Sequence, residues 1–364
     1  MGEIRAAANV GPAAVNEAGS GGVDVAALPD GFVPLRIKRV VSETRDAVSI
    51  VLDVPQSSAK RFGYQAGQFL TLLVTVDGRE HRRCYSMSSS PALGEDLQIT
   101  VKRDRDGVVS NWLNDTATPG DELPALPPQG RFVLRESDRE LIAFAGGSGI
   151  TPVFSLVRTA LTSGERATRL FYANRNRESV IFDEALASLS ARHADRFVLH
   201  HHLDDNRGFV TQADIEAFVA DAGDADVYIC GPNEFMDIVR NALSAAGVPA
   251  DRLHIEHFDV DDVAAAAPPD TEVVTDEVTI VLDGSTTTAP YHAGNTLLQT
   301  ARMAGLRAPS SCEIGSCGTC MARLTHGSAR MINNDALEPD EVEEGWVLTC
   351  QALPTSPTVR VVYE

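Results

Sequence analysis

The chain has 364 residues, of which 43% are hydrophobic and 23% charged, with a net charge of −20 at pH 7. That length supports two or three domains, each with its own core. So acidic a balance argues against a nucleic-acid scaffold, which needs clustered Lys and Arg. No run of 18 or more apolar residues occurs, and the N-terminus lacks a basic segment followed by an apolar one. Neither a membrane span nor secretion is therefore expected, and the expected compartment is cytoplasmic. Thiols stay reduced there, so the six cysteines point to metal ligation rather than disulfides.

Residues 1–30 are rich in Ala and Gly without apolar periodicity and read as a disordered leader. Residues 31–136 read as short strands separated by Gly, Pro and Asp turns, among them "LRIKRVVSE", "AVSIVLDVP", "QFLTLLVTV", "HRRCYSMSSSP", "LQITVKRD" and "DELPALPPQGRFVL". Such a pattern predicts an antiparallel β-barrel or sandwich, and the barrel is preferred. From residue 137 to 258 the rhythm changes to strands alternating with helices, from "LIAFAGG" and "PVFSLVRTALTSG" to "NEFMDIVRNALSAAG" and "RLHIEHF". That alternation predicts a parallel sheet covered on both faces, an α/β module. Residues 259–273 read as a linker, and residues 274–364 as a small α+β unit that contains most of the cysteines.

In this last unit Cys312, Cys317 and Cys320 are spaced C-x4-C-x2-C, and Cys350 follows after 29 residues. Compact thiolate spacing of this kind suits a 2Fe-2S cluster wrapped by one loop, with Gly315 and Gly318 permitting close backbone approach. Zinc is the alternative, although zinc sites usually pair two C-x2-C knuckles and one is present here. The spacing and its flanks, the strand "EVTIVLDG", the partner "STTTAPY", the helix "TLLQTARMAG" and "GWVLTCQALP", resemble the plant-type ferredoxin domain. The resemblance implies a β-grasp fold with Cys312, Cys317, Cys320 and Cys350 as metal ligands.

A cluster that takes one electron at a time calls for a flavin between it and a hydride donor. "RRCYSMSSSP" holds Arg83, Tyr85 and Ser86 in an R-x-Y-S pattern. Along a strand Arg83 and Tyr85 share a face, where a guanidinium could meet a diphosphate and a ring the isoalloxazine, while Cys84 on the other face reads as a small core residue. Downstream, Val101 and Lys102 end a strand, and Gly107, Ser110 and Asn111 form G-x-x-S-N at the start of a short helix, a place for an anion. These motifs resemble the ferredoxin-NADP reductase superfamily. The resemblance implies FAD in preference to FMN, with Ser86 near the flavin N5 and the strand of Val101 and Lys102 lining the ring.

"LIAFAGGSGITP" runs an apolar strand into Gly146, Gly147 and Gly149, then Thr151 and Pro152, which predict a helix with Thr151 as cap and Pro152 at its first position. "YICGP" places Cys230, Gly231 and Pro232 after a later strand, at the same carboxyl edge where ligands bind in open α/β sheets. In "HIEHF" alternation puts Glu256 and Phe258 on one face. By the same resemblance these glycines, Thr151, Gly231 and Pro232 hold the nicotinamide coenzyme, Cys230 lies beside its ring, Glu256 relays a proton, and Phe258 stacks near the flavin. Ser86, Cys230 and Glu256 are thus the candidate catalytic residues. Arg175 and Arg177 could meet the 2′-phosphate of NADPH, yet the resemblance favours NADH. His200–His202 read as structural, and "EPDEVEEG", residues 338–345, as a solvated loop or part of a docking face.

The order of flavin barrel, nucleotide module and ferredoxin unit resembles the reductase components of bacterial multicomponent oxygenases, above all those of 3-ketosteroid 9α-hydroxylase and phenylacetyl-CoA epoxidase. It implies an NAD(P)H-dependent enzyme that passes electrons to a separate terminal oxygenase. A redox carrier or sensor, and a stand-alone diaphorase, are the alternatives.

Overall fold

A computed structural model describes residues 28–29, 31–257 and 275–364. Most of the expected leader, all of the expected linker and Phe258 lie outside the described residues. Among the described residues three large sheets form in chain order, with a fourth of two strands. The first comprises β1 (Val33–Thr44), β2 (Ala47–Asp53), β3 (Phe69–Val76), β4 (Arg79–Ser86), β5 (Leu97–Lys102) and β6 (Glu122–Ala125), with helix α1 (Val108–Thr116) between the last two. Its order is β4-β3-β6-β1-β2-β5, every pairing is antiparallel, and a bridge from Met87 to Ile99 joins the two ends. Alternation supplies the core: Leu70, Leu72 and Val74 of β3 point inward with Ile50 and Leu52 of β2 and Ile99 and Val101 of β5. The expected strand "DELPALPPQGRFVL" is shorter than its apolar run, because Pro127 and Pro128 remove ladder donors after Ala125.

The second sheet is all parallel, in the order β11-β10-β7-β8-β9, from β7 (Glu140–Gly146), β8 (Thr168–Asn174), β9 (Phe197–Leu203), β10 (Ala225–Cys230) and β11 (Leu253–Glu256). Helices α2 (Ile150–Ser163), α3 (Asp183–Arg192), α4 (Asp204–Arg207), α5 (Gln212–Val219) and α6 (Asn233–Ala245) connect its strands. Burial on both faces explains strands such as "LIAFAG", which read as apolar runs rather than alternation. The strand order reverses between β7 and β10, which opens a crevice beyond their carboxyl ends. Helix α3 starts at Asp183, just after Phe182, which takes φ 62° and stacks on Phe154 of α2 with ring centroids 4.3 Å apart.

Helix α2, by contrast, starts earlier than expected. Residues 147–149 already coil as a 3-10 turn, Gly149 is the cap, and Thr151 and Pro152 fall inside the first turn, with the Thr151 hydroxyl donating to the Ser148 carbonyl at 3.0 Å. Proline is tolerated there because first-turn N–H groups lack intrahelical acceptors.

The third sheet has the order β13-β12-β18-β14-β16, from β12 (Glu277–Leu282), β13 (Ser285–Pro290), β14 (Met321–His326), β16 (Trp346–Leu348) and β18 (Thr358–Val362), while β15 (Ala329–Met331) pairs with β17 (Ala352–Pro354). Helix α7 (Leu297–Met303) lays Leu297, Leu298 and Ala301 on this sheet, opened by a Thr296 and Gln299 capping box. The acidic stretch is not a plain loop: α8 (Pro339–Glu343) forms within it, because Pro339 at the first position and reciprocal capping by Glu338 and Glu341 favour a helix start.

One buried ion pair ties the second unit together. Arg166 and Asp226, with side chains 7% and 6% exposed, meet at 2.5 Å, and Arg166 also donates to the Arg135 and Arg139 carbonyls. Removing one partner of such a pair leaves an uncompensated buried charge. Asp226→Ala is expected to destabilise the protein by about 3–5 kcal/mol, read from urea unfolding.

Candidate functional site

The four clustered cysteines come together at one end of the third unit. Cys312, Cys320 and Cys350 are buried and Cys317 is half-buried. They form two hydrogen-bonded pairs, Cys312 with Cys317 and Cys320 with Cys350. The bond from Cys312 pulls the Cys317 thiol down to about 6, that from Cys350 lowers Cys320, and both donors are pushed up. The pairs adjoin, since Cys350 is within electrostatic reach of Cys312 and Cys320 of Cys317.

Backbone groups turn toward the sulfurs: Ile314 on Cys312, Thr319 on Cys317 and Gly315 on Cys350. This requires left-handed backbone at Glu313, Gly315 and Gly318, and a Cβ on Gly315 would stand 3.0 Å from the Asn333 carbonyl oxygen. Side chains brace the loop from outside. The amides of Asn333 and Gln351 donate to the Ile314 and Glu313 carbonyls at 2.9 Å, and the Thr349 hydroxyl donates to the Cys320 carbonyl at 2.8 Å.

Among the described residues no three His, Cys, Asp or Glu side chains converge on a single-metal position. Two adjoining thiol pairs suit instead a centre with two metal atoms, each taking two thiolates, and their softness suits iron and sulfide.

Ser86, at the end of β4, has a buried hydroxyl with no hydrogen-bond partner among the described residues. Hydroxyls in that state are rare unless a ligand satisfies them. Tyr85 precedes it, its hydroxyl pushed up by burial, and Arg83 donates to the Arg82 carbonyl at 2.9 Å. Val101 is fully buried in β5, and Gly107 caps α1. The Asn111 amide donates to the Gly107 carbonyl at 2.8 Å and the Ser110 hydroxyl accepts from the Asp104 N–H at 3.2 Å, so both side chains brace the turn before the helix. Lys102 reaches across to the second unit: a Cβ on Gly147 would stand 3.4 Å from its Nζ. Burial pushes the Lys102 amine down, and Asp46 opposes that shift.

The two carboxyl-edge motifs of the second sheet lie against each other. A Cβ on Gly149 would fall 2.1 Å from the Cys230 carbonyl oxygen, and one on Gly146 2.8 Å from Pro232, so the turns can meet only as glycines. A Cβ on Gly231 would stand 3.0 Å from the Gly146 backbone. Thr151 is buried directly behind this contact. Cys230 is fully buried, and burial, with Glu256 beside it, pushes its thiol well up. Glu256 pairs with Cys230 in the β10–β11 register, and burial followed by the charge of Asp335 raises its carboxyl to about 8.

Sequence reasoning placed Cys84 in the core, but the structure leaves it half-buried at a junction of all three units. It contacts the Thr71 hydroxyl at 3.3 Å and lies within electrostatic reach of Cys317, Glu256 and Asp335. The period of β4 explains this: Cys84 faces away from Tyr85, and the third unit covers that face. Sequence reasoning also missed Arg82, Gln129 and Arg131, which bond to the third unit; a long-range contact between domains leaves no local pattern to read. The histidine triplet divides by face: His200 and His202 both stack on Phe171, His202 also bonding the Gly208 carbonyl at 2.9 Å, while His201 lies against Tyr172.

Comparison with known proteins assigns each unit. Residues 33–134 match the oxidoreductase FAD-binding domain, 143–241 the oxidoreductase NAD-binding domain and 280–355 the 2Fe-2S iron-sulfur cluster binding domain. Together they define an oxidoreductase that uses a flavin, a pyridine nucleotide and an iron–sulfur cluster. The ferredoxin reductase component of 3-ketosteroid-9-alpha-monooxygenase from Mycolicibacterium smegmatis is 40% identical over 353 residues, covering 93% of this chain and 98% of the relative. A 1,2-phenylacetyl-CoA epoxidase subunit from Escherichia coli is 33% identical, covering 92% and 98%. The crystal structure of phthalate dioxygenase reductase superposes with a TM-score of 0.61 at 29% identity, covering 92% and 98%. The chain belongs to the family of oxygenase reductase components, within the ferredoxin-NADP reductase superfamily, that carry a C-terminal 2Fe-2S domain.

Glu256 titrates differently in the folded and unfolded chain. Its folded value, about 8, lies above the ordinary carboxyl value of 4.5, so the folded state retains a proton that the unfolded state releases between those pH values. The stability this group contributes is full at low pH and is lost as pH rises toward 8. The melting temperature of the native protein is expected to fall relative to that of Glu256→Gln between pH 5 and pH 8.5; parallel melting curves would contradict the assignment.

Proposed function

We propose that this protein is the reductase component of a multicomponent oxygenase, taking electrons from NADH through FAD to a 2Fe-2S cluster and delivering them to a separate terminal oxygenase. The observation that carries the reading is the shared wall: β4, with Arg83, Tyr85 and Ser86 at its end, is ion-paired through Arg82 to the cysteine loop. We read the first unit, residues 31–136, as a closed barrel, the second, 137–258, as the nucleotide module, and the third, 274–364, as a β-grasp unit. The Met87–Ile99 bridge, the reversal of strand order in the parallel sheet, and the packing of α7 across a mixed sheet support those readings.

In this reading FAD, when bound, accepts hydride and gives up its electrons singly, which a two-iron cluster can take. Arg83 holds the diphosphate, with the N–H groups at the start of α1 adding to that charge. Tyr85 covers the ring, and Ser86 directs its unpartnered hydroxyl to the flavin. Lys102 crosses to Gly147 and joins the flavin and coenzyme sites. The contact of Gly146–Gly149 with Cys230–Pro232 forms the coenzyme cradle, and Cys230 sits at the nicotinamide. Glu256, protonated at neutral pH, holds a proton at its carboxyl. Cys312 with Cys317, and Cys320 with Cys350, would hold the cluster between them.

The relatives' names favour an oxygenase acting on a 3-ketosteroid, with phenylacetyl-CoA epoxidation second, in the order of identity. Among the described residues no helix is long and apolar enough to cross a membrane, in keeping with a cytoplasmic partner. Within residues 338–345, read from the sequence as a solvated loop or part of a docking face, Glu341 is bound within the chain by Arg131.

NADH should bleach flavin and cluster in an anaerobic titration, and a carrier or sensor would not respond. Cys317→Ser is expected to lose the iron–sulfur spectrum and acid-labile sulfide while keeping FAD and NADH-to-dye activity; zinc without sulfide in the purified native protein would end the cluster assignment.

Coenzyme choice follows from pairing. Arg175 is held by Asp46 at 2.9 Å and Arg177 by Asp183 at 2.7 Å, so both guanidiniums are already neutralised where a 2′-phosphate would need them. NADH is the favoured donor. Replacing Asp46 and Asp183 by Ala should raise the ratio of kcat/KM for NADPH over NADH by about tenfold, since a charge-assisted bond contributes about 1.5–3 kcal/mol.

A further inference from the structure

Three groups of contacts join the first unit to the third, and all of them reach the cysteine loop or the segment behind it. Arg82 of β4 pairs with Glu313 at 2.7 Å and donates to the Ser311 carbonyl at 3.4 Å. The Ser311 hydroxyl donates to the Gln129 side-chain carbonyl at 2.8 Å. Arg131 reaches the Glu341 carboxylate with both terminal nitrogens at 3.1–3.2 Å and the Ala336 carbonyl at 3.1 Å. Glu313 sits between Cys312 and Ile314 with a left-handed φ of 62°, an uncommon conformation for a residue with a Cβ, and Arg302 grips the same carboxylate at 2.6 Å.

The two ion pairs differ in setting. Arg82 and Glu313 are each about one-quarter exposed, while Arg131 is open to solvent and Glu341 is not. The fork geometry of Arg131 fixes direction as well as distance.

From this we infer that Arg82 and Arg131 are positioning residues for flavin-to-cluster electron transfer: they form an ionic clasp that seats the cysteine loop against the back of β4. The inference rests on the reductase reading above. Alternation along β4 makes the clasp possible, since Arg82 and Cys84 face the third unit while Arg83 and Tyr85 face the other way. The transfer it serves moves one electron at a time from flavin reduced by the hydride of NADH to a ferric iron of the cluster, and no bond to the protein forms or breaks. Neither arginine is assigned to either group; the role of both is to set the separation. Residues 258–274 connect the second and third units, so covalent linkage does not hold the loop to the first unit. Ion pairs at this exposure weaken with salt, which makes the seating adjustable.

The test uses the full chain loaded with FAD and cluster, and compares the native protein with Arg82→Gln/Arg131→Gln. Two measurements are made at low salt: amide hydrogen exchange in residues 309–316 and 336–343, and stopped-flow reduction of flavin and cluster by NADH. The clasp predicts that flavin bleaching keeps its native rate, cluster reduction slows by about tenfold, and exchange in both segments rises by about the same factor, the effect of two such pairs lost together. High salt should bring the native protein toward the variant. In a second series, Arg131→Glu should slow the cluster and Glu341→Arg added to it should restore the rate, with Glu341→Arg alone reporting any loss of the α8 cap. Native exchange in the double variant, an unchanged cluster rate, or no rescue by the reciprocal swap would each overturn the clasp. Failure of NADH to bleach the flavin of the native protein would instead refute the reductase reading, and the exchange data would still decide the clasp.

Discussion

The pleat of one strand organises this molecule. Residues 79–86 alternate faces, so Arg83 and Tyr85 project to one side while Arg82 and Cys84 project to the other. One side carries Arg83 and Tyr85, the residues proposed for the flavin; the other carries the ion pair to Glu313 and a thiol within electrostatic reach of Cys317, and it ends in the Ser86 hydroxyl, which has no partner among the described residues. A strand is thin, so two sites on its opposite faces are close without sharing residues. That closeness is what sequential one-electron transfer demands.

The second sheet meets this wall from the side. Parallel pairing places β7 and β10 next to each other with their following turns at one edge, and the turns pack so closely that side chains on Gly146, Gly149 and Gly231 would collide with backbone or ring atoms. Glu256 of β11 then lies beside Cys230 and under the influence of Asp335 from the third unit. The glycine turns after β7 and β10, the end of β4 and the cysteine loop therefore converge at one junction. The raised carboxyl of Glu256 follows from that convergence, since desolvation by three packed units is its largest cause.

Charge has a second role at the junction. The chain is strongly acidic, and Arg82, Arg131 and Arg175 each pair with a carboxylate of another unit. Partly exposed pairs add modest stability and fix orientation well.

Much was legible in the sequence for local reasons. The C-x4-C-x2-C spacing, the G-x-x-S-N helix start and the glycine-rich turn after an apolar strand are short-range patterns whose chemistry depends on neighbours in the chain, and the strand and helix periods report burial directly. What failed was local as well: Thr151 lost its cap position to a turn curled by Gly147–Gly149, and the acidic loop gained a helix from its own capping box. Tertiary structure alone decided what lies across an interface. No pattern in the sequence could join Arg82 to Glu313 or Arg131 to Glu341 across some two hundred residues, or move Cys84 from core to junction, because such contacts depend on how finished domains pack and not on what precedes or follows a residue.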